Sequence, residues 1–309
     1  MTYYYEIITS GLGCFLLTII LVPLSMKVGT FIGALDYPGE IKIHSTPTPR
    51  FGGMAIFSSI FLTSFIFPSI VNHLNIETKL LIILSVSGIF LLGVLDDVKN
   101  LNANFKLILQ MINVVLAVVG LFTLQNSFSI VYFFIIFIFI LGYTNSFNLI
   151  DGMDGLASGI AVFISLGLIA ISLLAKQQVT LFGASLIICA SLGFLIFNLN
   201  PAKTFLGDCG STLLGFSLGI IISIIWLNST NKFVFLPLLM IAGIPIIDTS
   251  SIIIRRLINR KSLFVGDRNH LYDLIMQKGY NIKQTLLFIY SVGLFLTIIG
   301  IILYILVEL

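Results

Sequence analysis

An all-α, polytopic membrane bundle of about ten spanning helices is the fold class this sequence predicts, and three observations predict it. Of the 309 residues, 58% are hydrophobic and only 9% are charged, with mean hydropathy +1.12; a soluble domain carries about 25% charged residues. Nearly the whole length divides into apolar runs close to the ~20 residues that a spanning helix needs. The polar residues gather in the gaps between those runs, so one bundle over residues 1–309 is the natural unit.

Taken in order, the spans are expected at 7–27, 52–71, 79–95, 106–125, 128–143, 156–175, 179–197, 211–228, 233–254 and 284–307. The first is too long, and too weakly basic at its start, to read as a cleaved signal peptide. Alternate gaps then fall on opposite sides. Thirteen of the sixteen Lys and Arg lie on one side, leaving only Lys79, Lys176 and Lys232 on the other. That asymmetry marks the basic side as cytoplasmic and both termini as outside. Ten of the thirteen acids share the basic side, among them Asp36, Asp96, Asp97, Asp151, Asp154, Asp208 and Asp248. Topology rules explain the bases and not the acids, since Asp and Glu contribute little to orientation. The chemistry is therefore expected on one face. No internal repeat or low-complexity linker is apparent. A transporter or flippase would carry its polar groups near the midplane, on broken helices.

Five segments on that face carry the polar residues: 28–51, 96–106, 143–155, 198–211 and 255–283. In the first, IKIHSTPTPRFGG combines two prolines with a Gly pair, a rigid non-helical approach to the second span. His44 and Arg50 there can meet an anion, or serve only as a topological basic loop. In the second, GVLDDVKNLNANFK places Asp96 beside Asp97 at a helix end. Adjacent carboxylates repel and lose hydration, which suits a bound cation, a proton-transfer role or paired caps. Asn100 and Lys106 add an amide and a cation. In the third, TNSFNLIDGMDGLASG sets Asn145, Asn148 and Asp151 three residues apart, one polar stripe if that end is helical. Asp154 continues the spacing, while Gly152 and Gly155 break the helix and expose backbone amides. A polar stripe entering a bilayer is costly unless it binds something.

The fourth segment, FNLNPAKTFLGDCGST, holds Asn198, Phe205 and Asp208, the last ahead of a helix whose N-terminus favours an anion. Cys209 reads as a small loop residue. The fifth, RRLINRKSLFVGDRNHLYDLIMQKGYNIK, is long and basic, with Arg268 and His270 in a turn. It suits an anionic membrane surface, a phosphate clamp or simple solvation. The three cysteines are scattered and give no disulfide framework or thiolate site. The histidines are too dispersed for zinc, and no GxxxxGK[ST] loop supports ATP hydrolysis. Oxygen-rich acids and amides suit Mg²⁺ or Mn²⁺. From the residues alone, this is a divalent-dependent enzyme acting on a phosphorylated substrate at the bilayer, with no nucleic acid as partner.

HSTPTPRFGG, LDDVKN, NSFNLIDGMDGLASG, NPAKTFLGDCGS and PIIDTSSIIIRR, in that order, resemble motifs of the polyprenyl-phosphate N-acetylhexosamine-1-phosphate transferases. That integral membrane family starts bacterial O-antigen, teichoic acid and related glycans. The resemblance covers essentially the whole chain. It implies transfer of a sugar 1-phosphate from a UDP-N-acetylhexosamine to undecaprenyl phosphate, with release of UMP, in a bacterial plasma membrane and on its cytoplasmic face. It implies Asp208 as the main Mg²⁺ ligand with Asn148 beside it. Asp154, Asn198, Phe205 and Gly152 would form the uridine pocket, with Phe205 stacking on uracil. Lys106, Arg268 and His270 would hold phosphates, and Asp96, Asp97 and Asp151 are the catalytic acids. Asn100, Asn145, Arg50 and His44 support them. Some relatives are dimers, though nothing in this sequence reads as a dimer interface.

One departure matters. Many relatives carry several histidines in the last loop, where this chain reads DRNHLYDLI, with Tyr272 and Asp273 in those places. Together with PIID at Asp248, this favours the O-antigen and teichoic acid branch, with UDP-GlcNAc as the default donor. The alternative within the class is the phospho-N-acetylmuramoyl-pentapeptide transferase of peptidoglycan synthesis.

Overall fold

The computed structural model describes residues 2–37, 47–125, 128–260 and 270–308. The expected all-α, polytopic membrane architecture is what the chain adopts. α1 (Thr2–Ile32) leads through β1 (Leu35–Asp36) and β2 (Thr48–Pro49) into α2 (Gly52–Ile66). The two short strands pair antiparallel, Leu35 opposite Pro49 and Asp36 opposite Thr48. Six longer helices follow: α3 (Ile76–Lys99), α4 (Ala103–Gln125), α5 (Ile130–Leu149), α6 (Leu156–Leu174), α7 (Gln178–Asn198) and α8 (Gly207–Asn228). The chain ends with α9 (Phe235–Ile241), α10 (Gly243–Ile258), α11 (Leu271–Gln277) and α12 (Ile282–Glu308).

A helix falls in each of the ten expected spans, although the one expected over 52–71 ends at Ile66. Among the described residues, eight helices meet the length and hydropathy of a crossing on their own, and the α9–α10 pair brings a ninth if taken as one span. α2, at 15 residues, is apolar but shorter. The segment expected as one straight span at 233–254 is instead bent by 84° between α9 and α10. Gly243 opens the second piece and Pro245 follows two residues later. A proline lacks the N–H that would continue α9's ladder, yet fits the first turn of a new helix.

α8 is the axis of the bundle: 94% of its apolar window is buried, against 67% or less in the other seven. Small residues let its neighbours approach. A Cβ on Gly53 of α2 would stand 2.2 Å from the Gly210 nitrogen, and one on Gly93 of α3 would stand 2.3 Å from the Cys209 Cα. The outer helices turn Leu12, Ile20, Ile138 and Phe295 outward, as a hydrocarbon surround requires. Inside, hydroxyls bridge helices where a bilayer offers no water, as in Thr18 donating to Ser59 at 2.7 Å.

Successive helices run back and forth. The α3–α4, α5–α6 and α7–α8 connections therefore meet at one end of the bundle, joined there by β2 and the start of α11. The opposite end is closed by Glu308, whose carboxylate accepts from the Thr230 and Asn231 backbone N–H groups at 2.8 and 3.0 Å.

Candidate active site

Two carboxylates and one ammonium form the centre of the polar end. Lys106, on the first turn of α4, sets its Nζ 2.5 Å from Asp96 Oδ2 and 2.9 Å from Asp208 Oδ2. Asp96 comes from the last turn of α3 and also accepts from the Leu101 N–H at 2.7 Å. Asp208 was expected in a loop ahead of the next span; α8 in fact begins at Gly207, so Asp208 lies in its first turn. The same shift puts Cys209 inside the helix and fully buried, not in a loop. The helix starts early because Gly207, at φ +75°, makes the turn that a Cβ would block against the Arg50 carbonyl at 2.4 Å. Asn148, from the end of α5, donates its amide to Asp208 Oδ1 at 2.6 Å and to Ser211 Oγ at 2.7 Å.

Asp97 points elsewhere. Its two oxygens accept from the Asp208 and Cys209 N–H groups, both at 2.9 Å, satisfying the start of α8. Arg50 joins it, donating to the Asp97 carbonyl at 2.8 Å and to Asn100 Oδ1 at 3.0 Å. Asn100 ends α3 in the left-handed conformation, φ 48°. Side-chain exposure separates the three acids: 1% for Asp97, 8% for Asp96 and 31% for Asp208. Asp208 is the carboxylate of the three most open to a ligand.

The polar stripe of α5 is real but divides between neighbours. Asn148 faces α8, while Asn145 donates to Gln110 Oε1 of α4 at 3.0 Å. Asp151 follows the helix end, and its carboxylate accepts no hydrogen bond among the described residues. Part of its surface is open, yet protein surrounds the carboxyl. Burial first, then the charges of Asp208, Asp97 and Asp154, push it well above the ordinary carboxylate value.

Asp154 and Asn198 shape the adjoining loop. Asp154 Oδ2 accepts from Asn200 Nδ2 at 2.9 Å and the Ala202 N–H at 3.1 Å. Asn198 is buried, accepting from the Gly155 N–H and Ser158 Oγ and donating to the Thr204 carbonyl at 3.0 Å. Phe205 is half-buried, its backbone laced to Pro49 and Gly52. Gly152 is exposed and abuts Tyr272, whose Oη stands where a Cβ would be, 1.9 Å from it. His270 lies beside that ring and pairs with Asp248 through Nδ1 at 2.7 Å. Arg268 and His44 lie outside the described residues.

Among the described residues, Asp96, Asp97, Asp151, Asp154 and Asp208 stand beside Arg50 and Lys106, a carboxylate-rich setting in which a counter-cation would help to hold a phosphorylated ligand. Among the described residues no three His, Cys, Asp or Glu side chains converge as a ready-made metal cage. The donors nevertheless fit a hard divalent ion, which takes one or two carboxylates and completes its shell with water and substrate phosphates. Asp96 and Asp208 already share one cation, the Lys106 ammonium. A half-turn of the Asn148 amide would set oxygen where nitrogen now meets Asp208.

The sequence pointed to most of these residues. It did not single out Gln110 or Ser211, and it marked Asp248 through the PIID motif without a partner; all three lie within helices. The four-residue spacing of Lys106 and Gln110 and the GDCGS run are the signals that could have found the first two.

Residues 79–226 match the family model described as Glycosyl transferase family 4. The chain is 33% identical to a probable undecaprenyl-phosphate N-acetylglucosaminyl 1-phosphate transferase of Bacillus subtilis (strain 168), over 96% of this chain and 85% of that one. It is 30% identical to phospho-N-acetylmuramoyl-pentapeptide-transferases of Bacillus thuringiensis (strain Al Hakam) and Bacillus cereus (strain AH187), over 96% of both partners in each case.

Proposed function

The chain belongs to glycosyl transferase family 4, as a phosphoglycosyltransferase of the membrane, and from that premise we propose that it moves N-acetylglucosamine 1-phosphate from UDP-N-acetylglucosamine to undecaprenyl phosphate. An oxygen of the lipid phosphate bonds to the donor's β-phosphorus. The bond from that phosphorus to the bridging oxygen breaks, and UMP leaves with the electron pair. The reading rests above all on the convergence of Asp96, Lys106, Asn148 and Asp208 at one end of a membrane bundle.

In this reading the active site of a single domain, 1–309, draws on segments 28–51, 96–106, 143–155, 198–211 and 255–283. Asp208, with Asn148, holds Mg²⁺ or Mn²⁺; that ion, when bound, neutralises diphosphate charge. Lys106 moves from Asp208 to the diphosphate, and Asp96 fixes its direction. Asp97 orients Asp208 through the start of α8, and Arg50 braces Asp97. Asp151, of raised proton affinity, stands by the acceptor. Phosphoryl transfer asks for charge neutralisation and in-line positioning more than for a strong base. Asp154, Asn198 and Gly152 shape the uridine pocket and Phe205 stacks on the base, while His270 and Arg268 complete the phosphate clamp. Asn100, Asn145 and His44 support these groups. The asymmetry of basic residues supports a cytoplasmic site in a bacterial plasma membrane, with both termini outside. Homodimerisation is compatible with this scheme and not required by it.

A second reading, transfer of a phospho-N-acetylmuramoyl-pentapeptide, draws on the 30% identity to such enzymes over nearly their full length. One assay separates the two. Purified protein in detergent is given undecaprenyl phosphate, Mg²⁺ and a panel of UDP-sugars with and without the peptide, and UMP is followed. Release with UDP-N-acetylglucosamine, abolished by EDTA and by Asp208→Ala, is the expected result. Release only with the peptide-bearing donor would establish the second reading, and none with any donor would overturn both.

A further inference from the structure

The carboxylate of Asp248 has no place in the scheme above, yet it is 1% exposed inside a helix that reads as apolar. A buried carboxylate is costly unless every lone pair it turns inward is answered. Here both oxygens are answered from one short stretch. Oδ2 lies 2.7 Å from His270 Nδ1, and Oδ1 accepts the Leu271 N–H at 2.6 Å. Asp248 also borders a small cleft lined by Ile150, Leu156, Ile244, Ile289 and Tyr272. Asp248 therefore receives one particular ring and one particular helix start.

His270 is held from a second side. The Tyr272 ring lies parallel to the imidazole, 5.4 Å between centres and 5° between planes. Its hydroxyl is wedged over Gly152, in the loop that carries Asp151 and Asp154. The ring is thus fixed between α10 and the aspartate loop. With Nδ1 committed to Asp248, Nε2 is the one ring nitrogen left for a ligand. Which nitrogen of a histidine meets its ligand is set by the hydrogen bond the other one makes.

We propose that Asp248 is a positioning residue of the transferase: it fixes the orientation and proton placement of His270, so that the Nε2 side is presented to the donor's phosphates. The carboxylate is also the counter-charge for a ring that donates two N–H groups, one to Asp248 and one to a phosphate oxygen. This deepens the reading of His270 as a phosphate-side residue and rests on it. It also gives Tyr272 the task of backing the His270 ring.

Asp248→Asn is the informative variant. Its amide oxygen still accepts the Leu271 N–H, so the start of α11 keeps its partner, while its NH₂ now faces Nδ1 and forces the proton onto Nε2. ¹⁵N-imidazole spectra of detergent-solubilised wild type, with His270→Ala to assign the signal, should show Nδ1 protonated, and Asp248→Asn should lose that signature. In the UMP-release assay, Asp248→Asn should raise KM for the UDP-sugar and lower kcat/KM by about tenfold, as losing the partner that orients a ligand-binding histidine does. The double variant with His270→Ala should match His270→Ala alone within about twofold, because the two residues act as a unit. An unprotonated Nδ1 in the wild type would overturn the proposal even if Asp248→Asn does not fold. So would a double variant that loses the product of the two single effects, or an active wild type whose His270→Ala variant is unimpaired. A wild type that releases no UMP from any donor would instead remove the transferase reading and leave the imidazole measurement standing.

Discussion

Lys106 bridges Asp96 and Asp208 at 2.5 and 2.9 Å, so its loss leaves a buried and a partly exposed carboxylate facing each other and, in the proposed reading, the diphosphate without a fixed cation. Lys106→Ala is expected to lower kcat for UMP release by about 10²–10³, the usual loss for one preorganised electrostatic group. Asp97 behaves differently. Removing its carboxylate strands two N–H groups at the start of α8, each costing roughly 1–3 kcal/mol when buried. Asp97→Ala should therefore lower Tm in detergent as well as activity, and an unchanged Tm would refute its capping role. Asp151 gives a pH prediction. Its proton affinity is raised in the folded protein, so folding takes up a proton at this site between the ordinary carboxylate range and the raised value. The unfolded state binds fewer protons there, so stability falls as pH rises through that window. Asp151→Asn removes the loss. Its Tm should exceed the wild-type Tm at neutral pH, with the gap closing below the ordinary carboxylate range, while UMP release falls. These residues were legible as chemistry, because acids and amides between apolar runs need an explanation. Their division of labour was not, since Asp96 and Asp97 are adjacent in the chain and only their partners tell them apart.

Helix α8 lies against α2 and α3 through glycines that admit no side chain. Gly53→Ala would press its methyl onto the Gly210 nitrogen at 2.2 Å, and overpacking of this kind costs roughly 1–3 kcal/mol. Because the same contact seats Asp208, activity should drop with Tm. Gly142, in α5, has nothing within 4 Å of a built Cβ. Gly142→Ala should be neutral or stabilising by about 0.5–1 kcal/mol, and thermal unfolding of the pair checks both signs. At this scale the sequence located every long helix. It missed the 84° bend between α9 and α10, because hydropathy is continuous across Ile241–Gly243 and a glycine with a nearby proline inside an apolar run is compatible with a straight or a broken span. It also began α8 four residues late, since the Asp97 cap that stabilises the first turn comes from a distant part of the chain.

Across the whole bundle, both sides of the membrane carry testable consequences. With the proposed orientation, a cysteine at Lys176 should react with a membrane-impermeant maleimide on intact cells, and one at Asn102 only after permeabilisation. The reverse pattern would invert the topology. Native Cys14 and Cys209 are fully buried and leave little background from those positions. In the proposed reading a divalent ion neutralises the diphosphate, so EDTA should abolish UMP release and Mg²⁺ restore it, whichever sugar is carried.

The sequence by itself determined that the chain is a multi-pass helical membrane protein and which polar residues gather between its spans. Apolar runs of spanning length have one stable answer in hydrocarbon, and polar residues beside them are too costly to be incidental. The tertiary structure decided which acid anchors a helix, which one stays most open, and that a carboxylate inside an apparently apolar helix pairs with the histidine that begins α11. Those assignments depend on which groups from different helices come within about 3 Å of one another, and hydrogen-bond partners more than a hundred residues apart in the chain leave no periodic trace in it.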